Sequence, residues 1–226
     1  MNTKVTVWDG FVRGYHWLQV LCLVGLWYTG TEGLMDWHFS IAYLLLTLLV
    51  TRLIWGIIGS ETARLSSLFH SPSSVIQHLR SMHQSKATSF SSKEDIGHNP
   101  AGSYMVLAFF ALIAIQLTTG LFATDDIISE GPLAMYASSE FSSQLTEIHS
   151  LNFDLILVAI SLHLVAIMIY RIKKIDLIQP MINGKKTLSQ QLAPKMVNGL
   201  VGWAIFIVVG LGVYWLWAKD VVVYLF

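Results

Sequence analysis

Eight histidines carry most of the chemistry open to this chain: His16, His38, His70, His78, His83, His98, His149 and His163. An imidazole serves as a proton carrier, a hydrogen-bonding group or a metal ligand. Four of them, His16, His38, His149 and His163, lie in or at the edge of long apolar runs. An ionisable side chain there has to be paired, hydrogen-bonded or bound to something. His149 and His163 are 14 residues apart. On a helix such positions face nearly the same way, separated along the axis by about 21 Å. One metal ion cannot use both, so the spacing predicts two stacked sites. The lone cysteine, Cys22, excludes an intrachain disulfide, a Cys-x-x-Cys redox pair, an all-cysteine metal cluster and Cys-x-x-Cys-His covalent attachment of a cofactor. Neither a flavin or iron–sulfur motif nor a phosphate-binding glycine motif occurs.

The elements that must position these histidines are membrane helices. Hydrophobic residues make up 54% of the 226 and charged residues 12%, against roughly 25% charged in a soluble domain. Fourteen Lys and Arg balance fourteen Asp and Glu, so no net basic character points to nucleic acid. Apolar runs cover residues 15–30, 39–58, 103–123, 151–170 and 197–218, and crossing the hydrocarbon takes about 20 residues of helix. The first run is short, and is extended by Phe11, Val12, Trp27 and Tyr28. It ends in Trp27-Tyr28-Thr29-Gly30 without a small-x-small cleavage site, so it reads as a retained span rather than a signal peptide.

Loop charge predicts orientation. Residues 31–38 carry Glu32 and Asp36, and residues 124–148 carry Asp125, Asp126, Glu130, Glu140 and Glu147, with no Lys or Arg in either. The alternate segments hold Lys4, Arg13, Arg64, Arg80, Lys86, Lys93, Arg171, Lys173, Lys174, Lys185, Lys186 and Lys195, which is 12 of the 14 basic residues. By the positive-inside rule the N-terminus is cytoplasmic and the C-terminus periplasmic after five crossings. The serine-rich segment 59–100 is too small for a catalytic domain and reads as a connection, with a short amphipathic surface helix expected over 75–82.

This topology puts His16 at the depth of His163 on the inner side, and His38 at the depth of His149 on the outer side. Each pair lacks a nearby carboxylate or thiolate to complete a tetrahedral zinc site. Two imidazoles instead suit a haem iron, which takes four ligands from its macrocycle, and without covalent attachment the haem is b-type. Histidines satisfied by hydrogen bonds inside a bundle, or a proton or substrate relay in a transporter, fit the same residues. Arg52, 14 residues after His38 on the same helix face, suits pairing with inner-haem carboxylates or snorkelling to headgroups, and Arg13 has the same two readings. Gly25, Gly30, Gly102 and Gly120 permit close approach of a helix or haem edge, and Asp154, one turn beyond His149, suits orienting the outer ligand or a partner protein.

A set of stretches resembles the bacterial cytochrome b561 and nickel–iron hydrogenase cytochrome b family. They are Trp8-Asp9, Arg13-x-x-His16-Trp17, Thr29-Gly30, His38, Arg52-Leu53-Ile54-Trp55-Gly56 with Gly59, Gly97-His98-Asn99-Pro100-Ala101-Gly102, Glu147-Ile148-His149, His163 and Met181-Ile182-Asn183-Gly184-Lys185-Lys186, spread over residues 5–187. The resemblance implies an all-α integral membrane bundle with a four-helix core, within residues 1–187, holding two b haems; the fifth apolar run lies beyond the matched stretches, in an extension, residues 188–226, that reads as a fifth transmembrane helix. It implies ligation by the first, second and fourth helices through His16, His38, His149 and His163. It further implies electron transfer in the bacterial inner membrane between the quinone pool and a periplasmic c-type cytochrome, dehydrogenase or hydrogenase subunit. The chain itself would have no catalytic residue, and a homodimer is left open. Asn99, with His98, enters the third span at the inner haem's depth, suited either to a quinone carbonyl or to capping that helix ahead of Pro100. A self-contained superoxide:quinone oxidoreductase and a haem-free transporter or scaffold are the competing functions.

Overall fold

The computed structural model describes residues 2–83, 96–125, 129–189 and 193–223. Lys86, Lys93 and Asp126, counted above in the loop charges, lie outside them. The chain is a set of helices: α1 (Gly10–Thr31), α2 (Met35–Ile58), α3 (Pro72–His83), α4 (Pro100–Gly120), α5 (Ser139–Ile172), α6 (Ile178–Asn183), α7 (Gly199–Val213) and α8 (Lys219–Val222). A π-helical turn, Tyr214–Ala218, joins the last two into one rod. Among the described residues four helices are long and apolar enough to cross a membrane: α2, α4, α5 and the rod Gly199–Val222. With 22 residues α1 has the length, but Arg13, His16 and Gln19 leave it less apolar than those four. The amphipathic helix expected over 75–82 is α3, which leaves Ile76 and Leu79 exposed.

Two strands were not foreseen. β1 (Asn2–Thr6) and β2 (Lys185–Ser189) pair antiparallel, with Asn2 opposite Ser189 and Thr6 opposite Lys185. Five residues rich in Lys and Thr are too short for a readable alternation. The ribbon begins where Gly184, at φ 80°, ends α6 and its N–H donates to Pro180 O at 2.8 Å. The left-handed conformation there suits glycine, and a Cβ would lie 2.7 Å from Trp8 O.

Two compact units make up the chain. One comprises Met1–Trp17, Thr51–Leu107 and Leu162–Ile205. In it α1 starts at Gly10 because Asp9 caps it: Oδ1 accepts the Val12 N–H at 2.8 Å, while Oδ2 accepts Trp55 Nε1 of α2 at 3.1 Å. Phe11 and Trp55 are fully buried and pack edge to face at 5.5 Å, and Trp203 of α7 meets the Phe11 ring at 5.3 Å. Close approach of α7 requires glycine, since a Cβ on Gly202 would collide with the Phe11 ring and one on Gly14 with Trp203.

The other unit comprises Leu18–Val50, Ala108–Ser161 and Phe206–Phe226. Tyr43 of α2 and Val213 and Ala218 of the C-terminal rod are buried together, with Trp217 stacked on Tyr43 at 6.4 Å. Buried Asn152 fastens α5 to α4, its Nδ2 donating to Leu112 O at 2.9 Å and to Gln116 Oε1 at 2.6 Å.

Candidate functional site

His38 opens α2 and His149 lies in α5, close enough that one imidazole feels the other's charge. Each meets a Thr-Gly step on a neighbouring helix. Thr29 Oγ1 of α1 is 3.2 Å from His38 Nδ1, and Thr119 Oγ1 of α4 is 3.1 Å from His149 Nδ1. Both hydroxyls donate their one proton within their own helix, Thr29 to Gly25 O and Thr119 to Ile115 O, each at 2.8 Å. The hydroxyl oxygens are therefore acceptors toward the imidazoles. His149 Nδ1 also faces Gln116 O at 3.0 Å, and a carbonyl only accepts. The proton sits on Nδ1, leaving the Nε2 lone pair available to a metal. The glycine after each threonine makes room for the ring: a Cβ on Gly30 would be 3.3 Å from His38 Cε1, and one on Gly120 2.9 Å from His149 Cε1.

In the other unit His16 of α1 and His163 of α5 are likewise within electrostatic reach of each other. His16 Nδ1 is buried without a hydrogen-bond partner among the described residues. Arg52 is 3% exposed, with its guanidinium 5.9 Å from the centroid of the Tyr15 ring. Exposure this low means that Arg52 does not snorkel to water. Arg13 is committed to the backbone, its Nη1 donating to Ile182 O at 2.6 Å and its Nε to Asp9 O at 3.4 Å. Asn99 caps α4, its Oδ1 accepting the Gly102 N–H at 2.8 Å, and its Nδ2 donates to Tyr170 Oη at 2.9 Å. Tyr170 Oη is also 2.8 Å from His78 Nε2 of α3. His98 packs under Trp8 with ring centroids 4.7 Å apart. Burial, then the nearby charges of Arg52, Lys186, His16 and His70, push its pKa down to about 3. His70 and His98 line a cleft of about 340 Å³ with Glu61, Thr62, Ser66 and Ser67.

Asp154 is exposed and bonds to neither outer histidine, so orienting the ligand falls to other residues. Helical geometry brings Asn152 rather than Asp154 to the α4 face, where it holds the side chain of the residue whose carbonyl receives His149. Thr119, Gln116 and Asn152 were missed as site residues. One signal was present in the sequence: Thr119-Gly120 repeats Thr29-Gly30 at the end of another apolar run.

The family model of the prokaryotic cytochrome b561 matches residues 7–184, spanning both histidine pairs. The chain belongs to that family. It is accordingly a multi-pass membrane protein of the cytochrome b561 type, with a part in electron transfer. No curated protein and no solved structure matches the chain.

Proposed function

We propose that this cytochrome b561 carries two b haems and passes electrons across the inner membrane between the quinone pool and a periplasmic redox partner. His16 and His163 would hold the inner haem, His38 and His149 the outer one. The observation that carries this reading is the outer pair: two histidines from different helices, each with Nδ1 bonded away and a glycine beside its ring. The donor chemistry agrees. Among the described residues no group of three or more His, Cys, Asp or Glu could hold a metal, so a bare ion would lack ligands that a macrocycle supplies.

Haem would supply one-electron iron chemistry, and His16, His163, His38 and His149 would hold it. The chain's own residues do the rest. The four histidines would hold the haems, and Thr29 and Thr119 hold the outer two histidines in place. Arg52, buried beside Tyr15, would offer its charge to inner-haem carboxylates. The cleft with His70 and His98 suits a quinone head: His70 Nε2 and His98 Nδ1 are buried there without partners among the described residues. Asn99 and Tyr170 border α4's start and would position protons for the carrier. On the periplasmic side, Asp125, Glu130, Glu140 and Glu147 would steer a basic partner such as a c-type cytochrome.

An absorption spectrum of detergent-purified protein, oxidised and dithionite-reduced, tests the reading with pyridine haemochrome quantitation. Two haems per chain and a reduced α band near about 560 nm, the region of b-type bis-imidazole iron, are expected. A folded, monodisperse and colourless protein would overturn it in favour of a transporter or scaffold. Turnover of superoxide with quinone by the purified chain alone would replace the partner-dependent function.

A further inference from the structure

The two outer histidines are held by the same four-part device on two helices that share no local sequence beyond it. In α1 it is Gly25, Leu26, Thr29 and Gly30; in α4 it is Ile115, Gln116, Thr119 and Gly120. In both, the threonine hydroxyl is bonded to the carbonyls three and four residues back, at 3.3 and 2.8 Å in α1 and at 3.1 and 2.8 Å in α4. In both, the hydroxyl oxygen then receives a histidine Nδ1, and the next residue is a glycine whose missing side chain admits the ring. Packing alone does not require this. A valine would fill the threonine's volume, and an alanine is the ordinary small residue of a helix.

Resting on the two-haem reading, we propose that Thr29 and Thr119 are positioning residues that set the reduction potential of the outer haem. An imidazole whose Nδ1–H is given to an oxygen acceptor is a stronger electron donor through Nε2. Stronger donation favours ferric over ferrous iron, so each hydroxyl holds the potential down. Removing one hydroxyl frees Nδ1–H from one of its acceptors and raises the potential. Both ligands of one iron are tuned in the same sense, from helices on opposite ligands, so the effects fall on a single redox step.

The test is a potentiometric titration of the purified, haem-loaded full chain, comparing Thr29→Val, Thr119→Val and Thr119→Ser with the parent. Both valine variants are expected to keep two haems and to move the same one of the two redox waves to more positive potential, leaving the other in place. A tenfold change in the reduction equilibrium, about 59 mV for one electron, is the size expected for Thr119→Val. Thr119→Ser, which keeps the hydroxyl, stays with the parent. Loss of one haem from Thr119→Val with full retention in Thr119→Ser supports the same assignment through binding. Unchanged waves with two haems bound, a serine variant shifted as far as the valine variant, or valine variants that move different waves would each overturn it. A parent protein without haem overturns the two-haem reading instead, before any variant is compared.

Discussion

Gly120 marks how closely single side chains limit the outer site. A methyl there would stand 2.9 Å from His149 Cε1, and the ring cannot yield without breaking its bonds to Thr119 and Gln116. Gly120→Ala is expected to lower the haem content from two per chain to one. Gly212→Ala is the control, since no atom lies within 4 Å of its Cβ. Haemochrome quantitation distinguishes the two. His98 gives the fold a pH dependence. Its folded pKa of about 3 lies below the ordinary histidine value of 6.5, so between those values the unfolded chain binds a proton that the folded chain does not. Stability therefore rises with pH through that window and is lost as pH falls through it. Denaturant titrations at pH 7 and pH 5 should show lower stability at pH 5, and His98→Gln should shrink the difference.

At the scale of elements, the start of α1 depends on one carboxylate. Asp9 is 5% exposed, caps α1 through the Val12 N–H and takes the indole N–H of Trp55, which is itself fully buried. Asp9→Ala loses the cap and strands a buried donor, a cost of about 2–4 kcal/mol, read as a lower midpoint in thermal unfolding in detergent. The C-terminal rod is fitted to α1 by absence of side chains. Gly202→Val would push a branched side chain into the Phe11 ring, and overpacking of this kind costs about 1–3 kcal/mol. A lowered thermal midpoint with both haems retained is the expected result, since neither histidine pair touches Gly202 among the described contacts.

For the whole molecule the basic and acidic loops argue an odd number of crossings. Alkaline phosphatase is active only outside the cytoplasm. Fused after Phe226 it should be active, and fused after Lys186, in a basic segment that the positive-inside rule assigns to the cytoplasm, it should be silent. Equal activity of both fusions would remove the five-span arrangement. That arrangement includes α1, whose polar residues make it the least apolar of the long helices. A helix carrying Arg13 and His16 crosses only if those groups are met inside the protein, and Arg13 is met by Ile182 O.

The sequence by itself determined the membrane class, the four apolar helices, the four histidines and their order along the helices, because long apolar runs, loop charge and 3.6-residue spacing are local properties. The Thr29 contact with His38 spans 9 residues and was half visible as a Thr-Gly motif. The contact of Thr119 with His149 spans 30 residues and depends on how two helices are rotated about their axes, which no spacing within either reveals. The same rotation chose Asn152 over Asp154, two residues apart on one helix. The cap of α4 by Asn99 was one of two readings open in the sequence, whereas tertiary structure was needed to show that Arg13 clasps the end of α6 and that Phe11 needs glycine opposite it. The ribbon of β1 and β2 belongs there too, because its register joins Asn2 to Ser189 across nearly the whole chain.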